Sequence, residues 1–151
     1  MRSASIWQRT AVLAIAGAAA FWLANLLISL SPIAAEYRAA LSISYVPMLV
    51  EALLGGLVVA LVVSYCLIRF RERIPTTASI SKALLVTLTA LIVATLLLEV
   101  PAKFLTSVDD GVRLFLIALA FNGVRFLALG VAIGYVNDRW YGRLGAWRQT
   151  Q

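Results

Sequence analysis

Four stretches of about twenty residues, nearly free of charge, dominate the chain: roughly 10–31, 46–68, 82–100 and 112–136. A hydrocarbon core about 30 Å thick takes roughly 20 apolar residues per helical crossing. No water reaches a bare backbone there, so such a segment must close its own hydrogen bonds, and a helix does so. The pattern predicts an all-α integral membrane protein, a four-transmembrane-helix bundle forming a single membrane domain over residues 1–151. Composition points the same way. Of the 151 residues, 62% are hydrophobic and 13% charged, whereas a soluble domain is nearer half apolar and a quarter charged. A small globule cannot bury so much apolar surface, which excludes a water-soluble enzyme and a disordered or nucleic-acid-binding tail.

The flanks of the runs set the topology. Arg2 and Arg9 precede the first run as in a secretory signal peptide, but the run is too long and lacks a small-x-small cleavage site. It reads as the first membrane helix, ended by Ser31-Pro32. The mixed stretch from Ile33 to Ser44 suits a short interfacial helix or a loop. Pro47 sits in the first turn of the second run, which closes in Arg69-Phe-Arg-Glu-Arg73. Ser79 or Ser81 is placed to cap the third run, and Pro101 to stop it. Asp109 and Asp110 suit the positive end of the fourth helix. Trp140, Tyr141, Arg143, Trp147 and Arg148 then form an interfacial mixture of aromatics and cations.

Nine basic residues fall on one side of this arrangement: Arg2, Arg9, Arg69, Arg71, Arg73, Lys82, Arg139, Arg143 and Arg148. Arg38, Lys103 and Arg113 fall on the other, with Glu36, Asp109 and Asp110. Such a bias predicts that both termini and the middle loop are cytoplasmic, in a bacterial-type plasma (inner) membrane. It also accounts for the net charge of +6 without a nucleic-acid partner, since no basic block carries interleaved aromatics. Tyr65 and Arg69 align with Tyr135 and Arg139 on a shift of 70, and Pro32 with Pro101 on a shift of 69. Two tandem helix hairpins give that correspondence; so does the common need of membrane helices for aromatic and basic ends.

Several chemistries are missing. Histidine is absent and Cys66 is the one cysteine, placed in an apolar run as a packing residue. That removes Ser-His-Asp catalysis, histidine-based metal sites and an internal disulfide. Glycine-rich phosphate loops, Cys-x-x-Cys and metal-spaced carboxylates are also lacking. The expectation is a non-enzymatic protein with no cofactor and no metal. Thr87, Thr89 and Thr95 have no base beside them and should bond back to their own helix.

Small residues four apart share a helix face and let backbones approach closely in lipid. The second span carries Gly56, Ala60 and Ser64, the fourth Gly130 and Gly134, and the first Ala16, Ala20 and Ala24. These faces serve packing within the bundle or contact with a partner chain. Gly130 and Gly134 form the face best suited to a partner.

Five polar groups interrupt the apolar runs: Asn25, Glu51, Glu99, Asn122 and Arg125. At ~1.5 Å per residue, Arg125 lies near mid-span and Asn122 one turn outward on the same face. Glu51, Glu99 and Asn25 lie roughly 9, 11 and 6 Å outward of their span centres. All four helices thus contribute to one layer. A mid-bilayer arginine needs a partner; Glu51 is the first choice and Glu99 the second, because Lys103 one turn from Glu99 competes. Two carboxylates and one guanidinium would leave a deficit of one positive charge. The layer serves helix registration, a transport site or a subunit contact. The leading expectation is an oligomerising or accessory subunit of a membrane complex, its partners being membrane lipid and either copies of itself or another membrane subunit. The alternative is a small oligomeric transporter or channel for an ion or small solute.

Overall fold

Serines open the first two helices. Ser5 accepts a hydrogen bond from the Gln8 backbone N–H at 3.3 Å, and the Gln8 side chain accepts one from Ser5 N–H at 3.0 Å, a reciprocal cap. It starts α1, Ile6–Ser29. Ser31 Oγ likewise accepts from Ala34 N–H at 3.2 Å and starts α2, Pro32–Ala40, with its proline in the first turn, where an N–H is not needed. The mixed stretch is therefore a short helix. Ser42, in the left-handed region at φ 52°, turns the chain into α3, Tyr45–Arg69. The third span begins as α4, Ser79–Ala94, passes through a π turn, Thr95–Glu99, and ends as α5, Val100–Phe104; α6 is Gly111–Asn137. This computed structural model describes residues 5–105 and 110–139. Arg2, Asp109, Trp140, Tyr141, Arg143, Trp147 and Arg148 lie outside the described residues.

The chain is all-helical over the described residues, and four helices of 24, 25, 26 and 27 residues are long and apolar enough to cross a membrane. Two local expectations are corrected. Pro101 does not stop the third span. The widened turn before it, in which Val100 N–H reaches back to Thr95 O, relieves the crowding a proline causes in an α-helix, and helix continues to Phe104. Nor does a serine cap α4: its N-cap is Ala78, and Ser79 Oγ accepts from Asn137 Nδ2 of α6 at 3.3 Å.

The spans alternate in direction, and α1 lies inside the bundle. It packs along both α3 and α6, α4 packs along α6, α3 and α4 touch over a shorter stretch, and the diagonal pairs α3–α6 and α1–α4 hardly meet. The spatial order is α3–α1–α6–α4. Described cations gather at one end (Arg9, Arg69, Arg71, Arg73, Lys82, Arg139), hereafter the basic side; Arg38, Lys103 and Arg113 mark the far side. The core holds Leu13, Ala14, Ala18 and Phe21 of α1, Ala60, Val63 and Leu67 of α3, Ala83 of α4, and Phe126, Leu129 and Ile133 of α6. At its far-side end Phe21 meets Phe126 edge to face, centroids 5.7 Å apart.

Small residues make these approaches possible. A Cβ on Gly17 would sit 2.8 Å from Ile133 and 3.3 Å from Ala60, so α1 touches both neighbours at one level. On α1, Ala24 belongs to the buried face while Ala16 and Ala20 flank it. Gly56 accommodates Phe21, and Ala60 and Ser64 are fully buried beneath it. Gly130 faces Thr87 and Leu84, and Gly134 faces Ile80 and Ala83, so this pair packs α6 on α4 and is not the free face expected for a partner chain. The Thr87 and Thr89 hydroxyls donate to Ala83 O and Leu85 O of their own helix, at 2.7 and 3.0 Å, whereas the buried Thr95 hydroxyl, expected to do the same, has no partner among the described residues.

A Cβ at Gly134 would lie 2.7 Å from the Ile80 Cα, a backbone atom that cannot swing aside. Gly134→Ala should therefore destabilise the bundle by about 1–3 kcal/mol. Gly123→Ala, with nothing within 4 Å of the new methyl, should stay within about 1 kcal/mol of wild type. Reversible unfolding in mixed micelles distinguishes the two.

Candidate functional site

The π turn ends at Glu99 on the far side, and around Glu99 the third and fourth spans are joined by a chain of polar contacts. Asn122 Nδ2 donates to Glu99 Oε1 at 2.9 Å, and Arg125 Nη1 donates to Asn122 Oδ1 at 3.0 Å. Asn122 and Arg125, three apart on α6, share a face, so one amide can serve both. Lys103, one turn beyond Glu99, places Nζ 3.7 Å from Glu99 Oε2. Its side chain is only 7% exposed and that of Glu99 21%. The relay runs Lys103–Glu99–Asn122–Arg125 across α5, the π turn and α6.

Aromatic rings cover it. Tyr37 of α2 packs edge to face on Phe121 of α6, with centroids 6.0 Å apart. Lys103 Nζ lies 5.4 Å from the Tyr37 ring centre and the Arg125 guanidinium carbon 6.0 Å from that of Phe121. α2 is held over the far side by Glu36 and Arg113, which pair at 2.6 Å, and by Arg38, whose Nη1 donates to Ser29 O at 3.2 Å. The Arg38 guanidinium also lies over Tyr45, 5.1 Å from the ring centre.

The five intramembrane polar residues thus separate into three situations. Glu99, Asn122 and Arg125 are linked. Asn25 is 1% exposed, and neither its amide nitrogen nor its amide oxygen has a partner among the described residues; Arg125 Nε is likewise buried and unpartnered. Asn25 lies one turn outward of Phe21, and Asn122 one turn outward of Phe126, so the Phe21–Phe126 contact sets them at similar depth. Glu51 stands apart. It is exposed on α3 and makes no hydrogen bond or ion pair among the described residues. Its distance from Arg125 follows from the order of the helices, because α1 stands between α3 and α6. The expected Glu51–Arg125 pair is therefore replaced by an Arg125–Asn122–Glu99 relay with Lys103 at its end. With Glu51 outside and Lys103 inside, the linked groups carry two cations and one carboxylate, an excess rather than a deficit of positive charge.

An acidic side chain facing hydrocarbon near a span centre costs about 2.5–3.5 kcal/mol on insertion scales, and less toward the interface. Glu51, roughly 9 Å from the centre of α3, bears part of that cost with no internal compensation. Two hollows accompany these helices. One, of about 520 Å³, is lined by Glu72, Pro75, Thr76, Ser81 and Lys82 on the basic side; the other, about 240 Å³ and apolar, lies between α4 and α6 beside Leu88, Gly123 and Leu127. No residue of the relay lines either. No group of three metal-ligating side chains occurs among the described residues.

Lys103 was recognisable from its spacing to Glu99. The Tyr37 cover was not, because it depends on how α2 folds back over α6. No protein-family model, curated protein or solved structure matches the chain.

Asn122→Leu removes both amide bonds and strands the Arg125 guanidinium. The expected cost is about 2–4 kcal/mol, well above the ~0.6 kcal/mol of an average intramembrane hydrogen bond. Glu51→Gln should leave stability within about 0.5 kcal/mol. Unfolding of both variants by the same micelle titration tests the contrast; equal losses would contradict the relay.

Proposed function

We propose that this chain is a non-enzymatic subunit of a membrane assembly, working by contact within the plane of the bilayer. The observation that carries the reading is the relay Lys103–Glu99–Asn122–Arg125: these intramembrane groups bind one another and join α6 to the third span. The small-residue faces are likewise used inside the bundle. What remains outward is a broad apolar surface, including Leu54, Val58, Leu96, Leu97 and Leu116, and among the described residues the helices make up most of the structure. The basic bias favours a topology with both ends cytoplasmic in a bacterial-type plasma membrane. Matching Tyr-x-x-x-Arg ends on α3 and α6 fit two tandem hairpins, although Pro32 opens a separate helix while Pro101 lies within a continuing one.

Affinity purification from native membranes in mild detergent should yield a stoichiometric membrane partner. A well-behaved monomer with nothing attached would sink the proposal. A small transporter is the second reading, favoured by the π turn ending at Glu99 and by the unpaired Asn25 amide, since such turns recur at functional sites. Under it, Glu99→Gln abolishes ion- or proton-coupled flux in reconstituted vesicles; under the subunit reading, wild-type vesicles show no flux above protein-free ones.

A further inference from the structure

α3 has two faces of similar spacing. Gly56, Ala60, Val63 and Leu67 are buried against the bundle, while Glu51, Gly55, Val58 and Val62 are exposed on the opposite side. Both follow the four–three alternation of a helix that packs side by side with another. The exposed face begins with the one far-side intramembrane acid that lacks a partner among the described residues. One turn below it, Gly55 has nothing within 4 Å of where its Cβ would be, so the carboxylate stands above a notch open to another backbone.

We infer that the Glu51–Gly55 face of α3 docks a transmembrane helix of a different protein, one that carries a lysine or arginine at the depth of Glu51. This rests on the subunit reading and names the surface and the partner's chemistry. Charge decides the occupant. An unpaired carboxylate in a low-dielectric layer attracts a cation strongly, and the notch lets the partner's backbone approach closely enough for it to reach. A second copy does not fit. A two-fold pairing of parallel α3 helices sets Glu51 against Glu51, and like carboxylates repel. Nor has a second copy a free cation to offer from its far side. Arg38 is held by Ser29 O and Tyr45, Lys103 by Glu99, Arg113 by Glu36 and Arg125 by Asn122. The partner must bring its own.

The probe is a leucine–alanine transmembrane peptide with one arginine about 9 Å from its centre, compared with the same peptide carrying leucine there. The full chain, donor-labelled at an appended tag, is reconstituted in phosphatidylcholine vesicles with acceptor-labelled peptide, and energy transfer is read against peptide density. The arginine peptide should associate at least about tenfold better than the leucine peptide, a difference of about 1.4 kcal/mol. E51Q and Gly55→Leu should each reduce it to the leucine-peptide level, with helical content unchanged by circular dichroism. Equal association of the two peptides, undiminished arginine-peptide binding by E51Q, or self-association of the chain through this face overturns the inference. The native membrane separates the two levels. A partner that co-purifies equally with wild type, E51Q and Gly55→Leu overturns this face and leaves the subunit reading standing; peptide selectivity without any native partner supports the face and counts against the subunit reading.

Discussion

A guanidinium near the middle of a membrane is the most expensive group this bundle carries, and the far half of the protein is arranged around it. Arg125 does not meet a carboxylate directly. It donates to Asn122, which donates to Glu99, which faces Lys103. An amide can do this because it carries a donor and an acceptor on one planar group. The arrangement spreads charge along a line of partners, and every link crosses between the third and fourth spans or lies within one of them. Lipid offers no apolar drive for helix association, so satisfied polar contacts and close packing must hold the spans together. In the basic half, close packing of small residues does so; in the far half, the relay.

The three inner seams show what small residues contribute. Gly17 brings α1 against α3 and α6 at once, Gly56 receives Phe21, and Gly130 with Gly134 seats α6 on α4. Each methyl left out of those positions is filled by a neighbouring side chain or backbone, and the α4–α6 seam opens only farther along, at the apolar hollow beside Gly123. The lipid-facing surfaces are different in kind: exposed leucines and valines need no partner in a bilayer. An exposed acid does, which makes Glu51 the discordant residue of the outer surface.

Much of this was legible in the sequence. The four spans, the all-helical fold and the inventory of intramembrane polar groups follow from hydropathy and helix rise, because the bilayer imposes length and internal hydrogen bonding on any crossing segment. Pairing was less accessible. Depth along a helix can be counted, but azimuth and neighbour identity cannot, and Glu51 sits at a suitable depth on a helix that α1 separates from Arg125. Pro101 was misleading for a related reason. Proline ends a helix of α geometry, yet a single wider turn removes the clash and lets the span continue to Phe104. The Tyr37 cover depends on a surface helix folding back, which no local pattern encodes.

That wider turn has a consequence for phase. An α-helix advances about 100° per residue, so a turn that takes in one extra residue rotates everything after it by about that much relative to an uninterrupted helix. The third span is thus two half-helices with different angular origins. Ala83 and Thr87 belong to the first and seat α6 through its glycines; Glu99 and Lys103 come at the end of the turn and beyond it, and meet Asn122 and Tyr37. The phase change between them lets Glu99 meet α6, the helix that Ala83 and Thr87 also face, while Lys103 turns on to α2. The turn works as a coupling of fixed angle, and the register of the polar relay is written in its residue count.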